Sequence, residues 1–406
     1  MLRISVDELL EFPQGCIMGT YQSRRKTMAD IHPLLDKEAQ KKARRYEKEK
    51  RLLGFADMLL FLAVLLIFYF SGLSERLANL DIGGAFAGTF LLYAIVLYGL
   101  ITALGLPLAY FSGYVHEHKW HFSNHTIMSW LWEQLKSFLV GLILFMFLLG
   151  LLLWIMTISQ DWWWLTAAIA MTFVSVILAA IFPVVIAPIF NKYTPIEDRE
   201  LTTALDRLLA SAGLKSGGFF KEDMSRQTKK ENASLAGLGR TRRVILGDNL
   251  LGSMTIPEVE SIIAHEIGHF KYRHIWKNIA AGTVQQLAVF FIVHSVMMRV
   301  STRFLSSVEG NLSLVPVLAV LLGSVSVLVF APINNALSRV FEKQADRYAL
   351  ENIKDKRPFI TALAGLANRN LSNAYPEWWV KCLYYSHPPI GERLELAESH
   401  TPPCKL

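Results

Sequence analysis

The sequence predicts a polytopic α-helical membrane protein of about six spans, carrying a mostly helical polar domain that contains a small β-hairpin or sheet. Three observations predict it. The 406-residue chain is 52% hydrophobic and 18% charged, with a mean hydropathy of +0.32, too apolar for an ordinary soluble domain. Six apolar runs reach the ~20 residues needed to cross a bilayer core of about 30 Å. Polar blocks follow the fourth and sixth runs, and a histidine-glutamate motif lies in the first of them.

Taken in order, residues 1–53 read as a cytoplasmic basic segment. The start, MLRISVDELLEFPQG, has acidic residues and a proline where a signal peptide needs an apolar run, so no cleavable leader is expected. Eight Lys or Arg between Lys37 and Arg51 place this flank inside by the positive-inside rule. Residues 54–190 hold four spans, near Phe55 to Ser71, Phe86 to Tyr110, Phe138 to Ile158 and Trp164 to Ile189. Pro107, Pro183 and Pro188 predict kinks or protruding ends in the second and fourth. Trp162 to Trp164 reads as an interfacial aromatic belt, and the histidine-rich run His116 to His125 as a membrane-flanking loop.

Residues 191–276 form a polar, basic block that even parity returns to the cytoplasm. Within it NKYTPIEDRELTTALDRLLASAGL reads as a helix, and the alternation around a Gly-containing turn predicts a hairpin from Asn232 to Leu246. Thr255 and Glu258 then form a capping box, with Pro257 in the first turn of a new helix. Residues 277–334 hold two further spans, near Ala280 to Met298 and Leu314 to Ile333, and residues 335–406 return to the cytoplasmic side with the C-terminus. Cys16, Cys382 and Cys404 are far apart and read as free thiols; the tail TPPCKL sets Cys404 one position too late for prenylation of this chain's own end. The net charge of +7 is explained by topology, and no nucleic-acid partner is expected.

The motif is SIIAHEIGHFKYRH. On a helix His265 and His269 share one face, so both imidazoles can address one metal ion with Glu266 beside them. Catalytic zinc takes three protein ligands and keeps one position for water. Two crossings later, Asn335, Arg339, Glu342 and Asp346 fall at i, i+4, i+7 and i+11 on one helical stripe. Glu342 is the candidate third ligand. Asp346 is suited to accept the spare ring N–H of a ligating histidine. His274 lies five residues beyond His269 on what reads as the same helix, off its metal face, and is assigned a structural or interfacial place.

HEIGH, followed by NNALSRVFEKQAD and then by SHPPIGERL (Ser386 to Leu394), resembles the integral-membrane zinc endopeptidases typified by the type I CAAX prenyl protease. APIFNKYTPIEDREL, ENASLAGLGRTRRVILGDNLL and YVHEHKWHFSNHT extend the resemblance over roughly Tyr46 to Leu394. It implies a zincin-like domain with zinc on His265, His269 and Glu342, and Glu266 as the base that deprotonates water. It also implies that Asn232, with Ala233, lies on the strand that receives an extended substrate, that His387 stabilises the tetrahedral intermediate, and that Arg339 and Asn335 support the site. The family encloses an intramembrane chamber with seven helices; six spans are counted here, leaving the N-terminal 53 residues to cover the gap as an amphipathic or peripheral element.

The chemistry points the same way. Zinc lowers the pKa of its water toward about 7, Glu266 can move the proton, and His387 or Arg393 can share the oxyanion. The expected activity is cytoplasmic endoproteolysis of lipidated or membrane-associated peptides, in contact with membrane lipids, in a bacterial inner membrane or an ER membrane. Two alternatives stand: a quality-control metalloprotease with no prenyl requirement, and a transporter with structural zinc. Spans without charges and a glutamate beside the ligands argue against the transporter.

Overall fold

The computed structural model describes residues 31–401 except 216, 237–242 and 303; the expectations for the first 30 residues, for Cys16 and for the tail with Cys404 lie outside them. Along the chain come α1 (Lys37–Phe70), α2 (Phe86–Lys119), α3 (Ile127–Ile158) and α4 (Trp163–Phe190). Then follow β1 (Tyr193–Pro195), α5 (Arg199–Ser211), β2 (Phe219–Glu222), β3 (Ala233–Ala236), β4 (Arg243–Gly247) and α6 (Ile256–Lys271). The remainder is α7 (His274–Val300), α8 (Val315–Asn352), α9 (Arg357–Arg369), α10 (Trp378–Tyr384) and α11 (Ile390–Ser399). Among the described residues six helices, α1 to α4, α7 and α8, are long and apolar enough to cross a membrane.

The spans are longer than their apolar runs. Asp36 caps α1 through the Ala39 N–H, and the Glu, Ala, Gln, Lys and Arg residues that follow are strong helix formers. The basic run is therefore the polar half of the first spanning helix, not a separate segment. The boundaries expected at residues 53, 276 and 334 likewise fall inside continuous helices, α1, α7 and α8. Three spans loosen into π turns, at Phe111–Val115 in α2, Phe182–Ile186 in α4 and Ser326–Phe330 in α8. Each lies within about a turn of Pro107, Pro183 or Pro332, whose missing N–H breaks the helical ladder. Beyond its π turn α2 stays helical through HEHK, so the expected histidine loop begins only after Lys119.

Trp163 corrects the expected aromatic belt. It is 1% exposed and donates its indole N–H to His294 Nδ1 of α7 at 2.9 Å, while Trp162 beside it is exposed. A buried indole needs an acceptor, and the neighbouring span supplies one.

The polar block forms one sheet of order β1-β2-β4-β3, with β2 and β4 parallel and the outer pairs antiparallel. The hairpin is present, pairing Ala233 with Leu246, and its tip lies outside the described residues. The start of the expected long helix is strand instead: Tyr193 to Pro195 pair with β2, and α5 begins only where Asp198 caps it. Leu201, Leu205 and Leu209 of α5 pack with Val244 and Leu246 of β4 and with Ile263 and Ile267 of α6, burying the inner face of the metal-motif helix.

On its other side α6 meets α8. A Cβ on Gly268 would lie 2.8 Å from Ala345 Cα, so the two backbones are as close as a residue without a side chain permits. Replacing Gly268 by Ala should force the helices apart, lower stability by about 1–3 kcal/mol and reduce metal content, measured by thermal unfolding in detergent and by elemental analysis.

Candidate metal centre

The capping box forms as the spacing predicts: Glu258 accepts from the Thr255 N–H at 2.9 Å and starts α6 in register. His265 and His269 then stand one turn apart, with their Nε2 atoms 3.2 Å from each other. From α8, Glu342 brings Oε2 to 3.2 Å from His265 Nε2 and Oε1 to 3.3 Å from His269 Nε2. Glu342 is buried, and its Oε2 has no hydrogen-bond partner despite that proximity.

These donors fit a zinc-sized ion. Nitrogen and oxygen ligands at roughly 2.0–2.2 Å in a tetrahedron stand roughly 3.3–3.6 Å apart, close to the three spacings observed. A buried carboxylate oxygen without a hydrogen-bond donor, facing two imidazole nitrogens, is also what a cation site requires. His265, His269 and Glu342 form a three-residue group able to hold a metal.

The outer nitrogens are committed. His265 Nδ1 lies 2.8 Å from Asp346 Oδ1, and Asp346, fully buried, is clamped by Arg393, whose Nε and Nη2 donate to it at 2.9 and 2.6 Å. Arg393, expected at the substrate, is thus turned to the carboxylate behind the ligand. His269 Nδ1 lies 2.9 Å from His274 Nδ1, and His274 Nε2 lies 2.9 Å from Gln344 Oε1. With Gln344 accepting from Nε2, the unprotonated Nδ1 of His274 accepts from the Nδ1–H of His269 and leaves His269 Nε2 free for a metal.

His274 is the residue that sequence reasoning misplaced. Arg273 adopts φ +56°, which ends α6 and starts α7, so His274 belongs to the next helix and turns back. Its ring stacks on Phe341 of α8 at 4.4 Å. No residue of the stretch before His274 signals the break, since Lys271, Tyr272 and Arg273 all suit a continuing helix.

His387 places Nε2 3.2 Å from Glu342 Oε1, while its Nδ1 lies 2.9 Å from Ser386 Oγ. Partial desolvation lowers its imidazole below the ordinary pKa against the pull of Glu342, although the side chain stays largely exposed. Asn335 and Arg339 position it from a distance. Asn335 Nδ2 donates to the Leu383 carbonyl at 2.8 Å, and Arg339 Nη1 to the carbonyls of Lys381 and Tyr385 at 3.0 and 2.6 Å, just ahead of His387.

His265, Glu266 and His387 open on a cavity of about 960 Å³ that Asn232 and Ala233 also line, together with Arg51, Phe55 and Met58 of α1. The docking of α1 there rests on long-range contacts that local patterning does not reveal. Tyr46 stacks on His116 and donates to Glu117 at 2.7 Å, and Lys230, two residues before Asn232, lies 2.8 Å from the same carboxylate. Glu47 accepts from Tyr385 Oη–H at 2.6 Å, two residues before His387.

A donor set of this kind, in a domain grown from membrane helices, defines an integral-membrane metalloendopeptidase. Residues 195–401 match the model of peptidase family M48, and residues 19–192 that of the CAAX prenyl protease N-terminal region, described as five membrane helices. The chain belongs to peptidase family M48. An uncharacterized metalloprotease of Bacillus subtilis, YhfN, is 29% identical over 88% of this chain and 84% of its own. CAAX prenyl protease 1 of Saccharomyces cerevisiae is 28% identical over 74% and 70%. The crystal structure of S. mikatae Ste24p superposes with a TM-score of 0.79 at 25% identity, covering 93% of each chain. Membership in a peptidase family sets aside the transporter reading.

Two outcomes follow from the committed outer nitrogens. His274→Ala should weaken metal affinity about 10- to 100-fold, measured by chelator competition, while the fold persists. Without a metal, burial disfavours the His265 cation, but the adjacent carboxylates of Asp346 and Glu342 outweigh it and raise the imidazole to about 9. A ligating nitrogen must be free of its proton, so metal binding should release about one proton per chain from this group at pH 7, and affinity should fall as pH drops below about 9. Calorimetry in buffers of different ionisation enthalpy reads the release; binding without proton release would contradict it.

Proposed function

We propose that the protein is a zinc endopeptidase that cuts membrane-associated peptides at the cytoplasmic face, with prenylated C-terminal peptides as the substrate class. The observation that carries it is the shared cavity, in which His265 and Glu266 lie on the same wall system as Phe55 and Met58 of a spanning helix. A peptide with an apolar tail can keep that tail near the spans while its backbone reaches the polar end. The named activity of the yeast relative, CAAX prenyl protease 1, supports the substrate class. The basic half of α1 supports the cytoplasmic side.

His265, His269 and Glu342 would hold the ion. Zinc, when bound, supplies a Lewis acid that polarises a carbonyl and lowers the pKa of water toward about 7. Among the described residues strand β3 is an edge strand, paired only with β4, and Ala233 at its start lines the cavity beside Asn232, so an extended peptide can add along the outer edge of β3 as a further strand. Glu266, on the cavity wall beside His265, takes the proton of the attacking water and returns it to the leaving amine. His387, bonded at Nδ1 to Ser386, turns Nε2 toward the site and stabilises the oxyanion; Arg393, clamped to Asp346, supports His265 instead.

A second reading, a quality-control protease with no prenyl requirement, is equally compatible with the match to YhfN, an uncharacterized metalloprotease. One experiment addresses both. Reconstituted protein is assayed on a farnesylated peptide and on its unmodified counterpart, with Glu266→Gln alongside. The variant should keep its metal and lose about 10²- to 10⁴-fold in turnover. Full activity in Glu266→Gln would contradict the mechanism, and equal cleavage of the two peptides would favour the second reading.

A further inference from the structure

Among the described residues four cations line the metal-site cavity: Lys50 and Arg51 of α1, Lys230, and Arg393. Two are spoken for. Lys230 Nζ donates to Glu117 at 2.8 Å and to Tyr46 Oη at 2.7 Å, and Arg393 is clamped to Asp346. Arg51 is different. Its nearest charge is Glu47 Oε2 at 3.8 Å, outside hydrogen-bond reach, and that carboxylate already accepts from the Tyr385 hydroxyl and the Asn373 N–H. Yet only 21% of the Arg51 side chain is exposed. Among the described residues its five N–H donors, largely withdrawn from water and facing a cavity, have only this long ion pair with Glu47 and no hydrogen-bonded anion.

We propose that Arg51 receives the free C-terminal carboxylate of the peptide being cut, with Lys50 beside it, a specificity role that rests on the endopeptidase reading above. A guanidinium matches a carboxylate bidentately, as a rigid fork rather than a point charge. Phe55 and Met58, four and seven residues on, line the same cavity from the same face of α1. The helix thus presents a carboxylate receptor followed by apolar surface, which suits a peptide that ends in a free acid and carries an apolar group. Holding the chain end here and the backbone against β3 fixes which bond reaches the metal ligands.

The test compares one prenylated peptide as free acid and as C-terminal amide, in phosphatidylcholine vesicles with and without phosphatidylglycerol. The wild type should prefer the acid by about tenfold or more in kcat/KM, mainly through KM. In Arg51→Gln that ratio should collapse toward one, with Arg51→Lys between. A wild-type ratio near one, or an undiminished ratio in Arg51→Gln, would overturn the proposal. If Arg51 instead holds a lipid phosphate, phosphatidylglycerol changes both peptides equally and the ratio stays near one, which also overturns it. Should Arg51→Gln lose its bound metal and so its fold, the Arg51→Lys ratio decides, and one equal to wild type overturns the assignment. Failure of the zinc-loaded wild type to cut either peptide is a separate result, since it removes the endopeptidase reading and this inference with it.

Discussion

The metal centre depends on how closely two helix backbones approach. Gly268 of α6 lies against Ala345 of α8, and that contact sets the distance at which His265 and His269 face Glu342. A Cβ at 268, 2.8 Å from Ala345 Cα, would push the helices apart by about an ångström, while zinc bonds tolerate only about ±0.2 Å. The spacing is held from outside as well. Leucines of α5 and the inner face of β4 press on one side of α6, and the Asp346–Arg393 and His274–Gln344 pairs lock the rings on the other.

The same contact explains why a peptidase site grows from membrane helices. Glu342 is carried by the last span, which runs without a break from Val315 to Asn352. The π turn at Ser326–Phe330 lets that helix change its phase before the polar half begins. At the other edge of the cavity, α1 enters as a spanning helix whose basic end contacts the β3 side through Lys230 and the His387 side through Tyr385. Membrane and polar parts therefore share helices, and division into consecutive segments fails at residues 53, 276 and 334.

Much of the site was legible because its signals are local or periodic. The i, i+4 spacing of His265 and His269, the Thr255–Glu258 capping box and the stripe through Glu342 and Asp346 each need only helical geometry. What escaped the sequence depends on a single backbone angle or on long-range docking. The positive φ of Arg273 moves His274 to a new helix, and nothing in FKYRH announces it. Trp163 and Trp162 are adjacent and chemically identical, but only one meets His294 across the bundle. The stretch from Asn191 has helix-like composition, yet its first residues pair with β2 because an edge was open to them. Arg393 read as a free donor because its partner, Asp346, lies 47 residues away.

Convergence of two imidazoles and one carboxylate on a single zinc can be read by X-ray absorption at the zinc edge on purified protein. One zinc per chain is expected, with only nitrogen and oxygen neighbours at about 2.0–2.2 Å and two of them imidazoles. Absence of stoichiometric zinc, or a sulfur neighbour at about 2.3 Å, would contradict it.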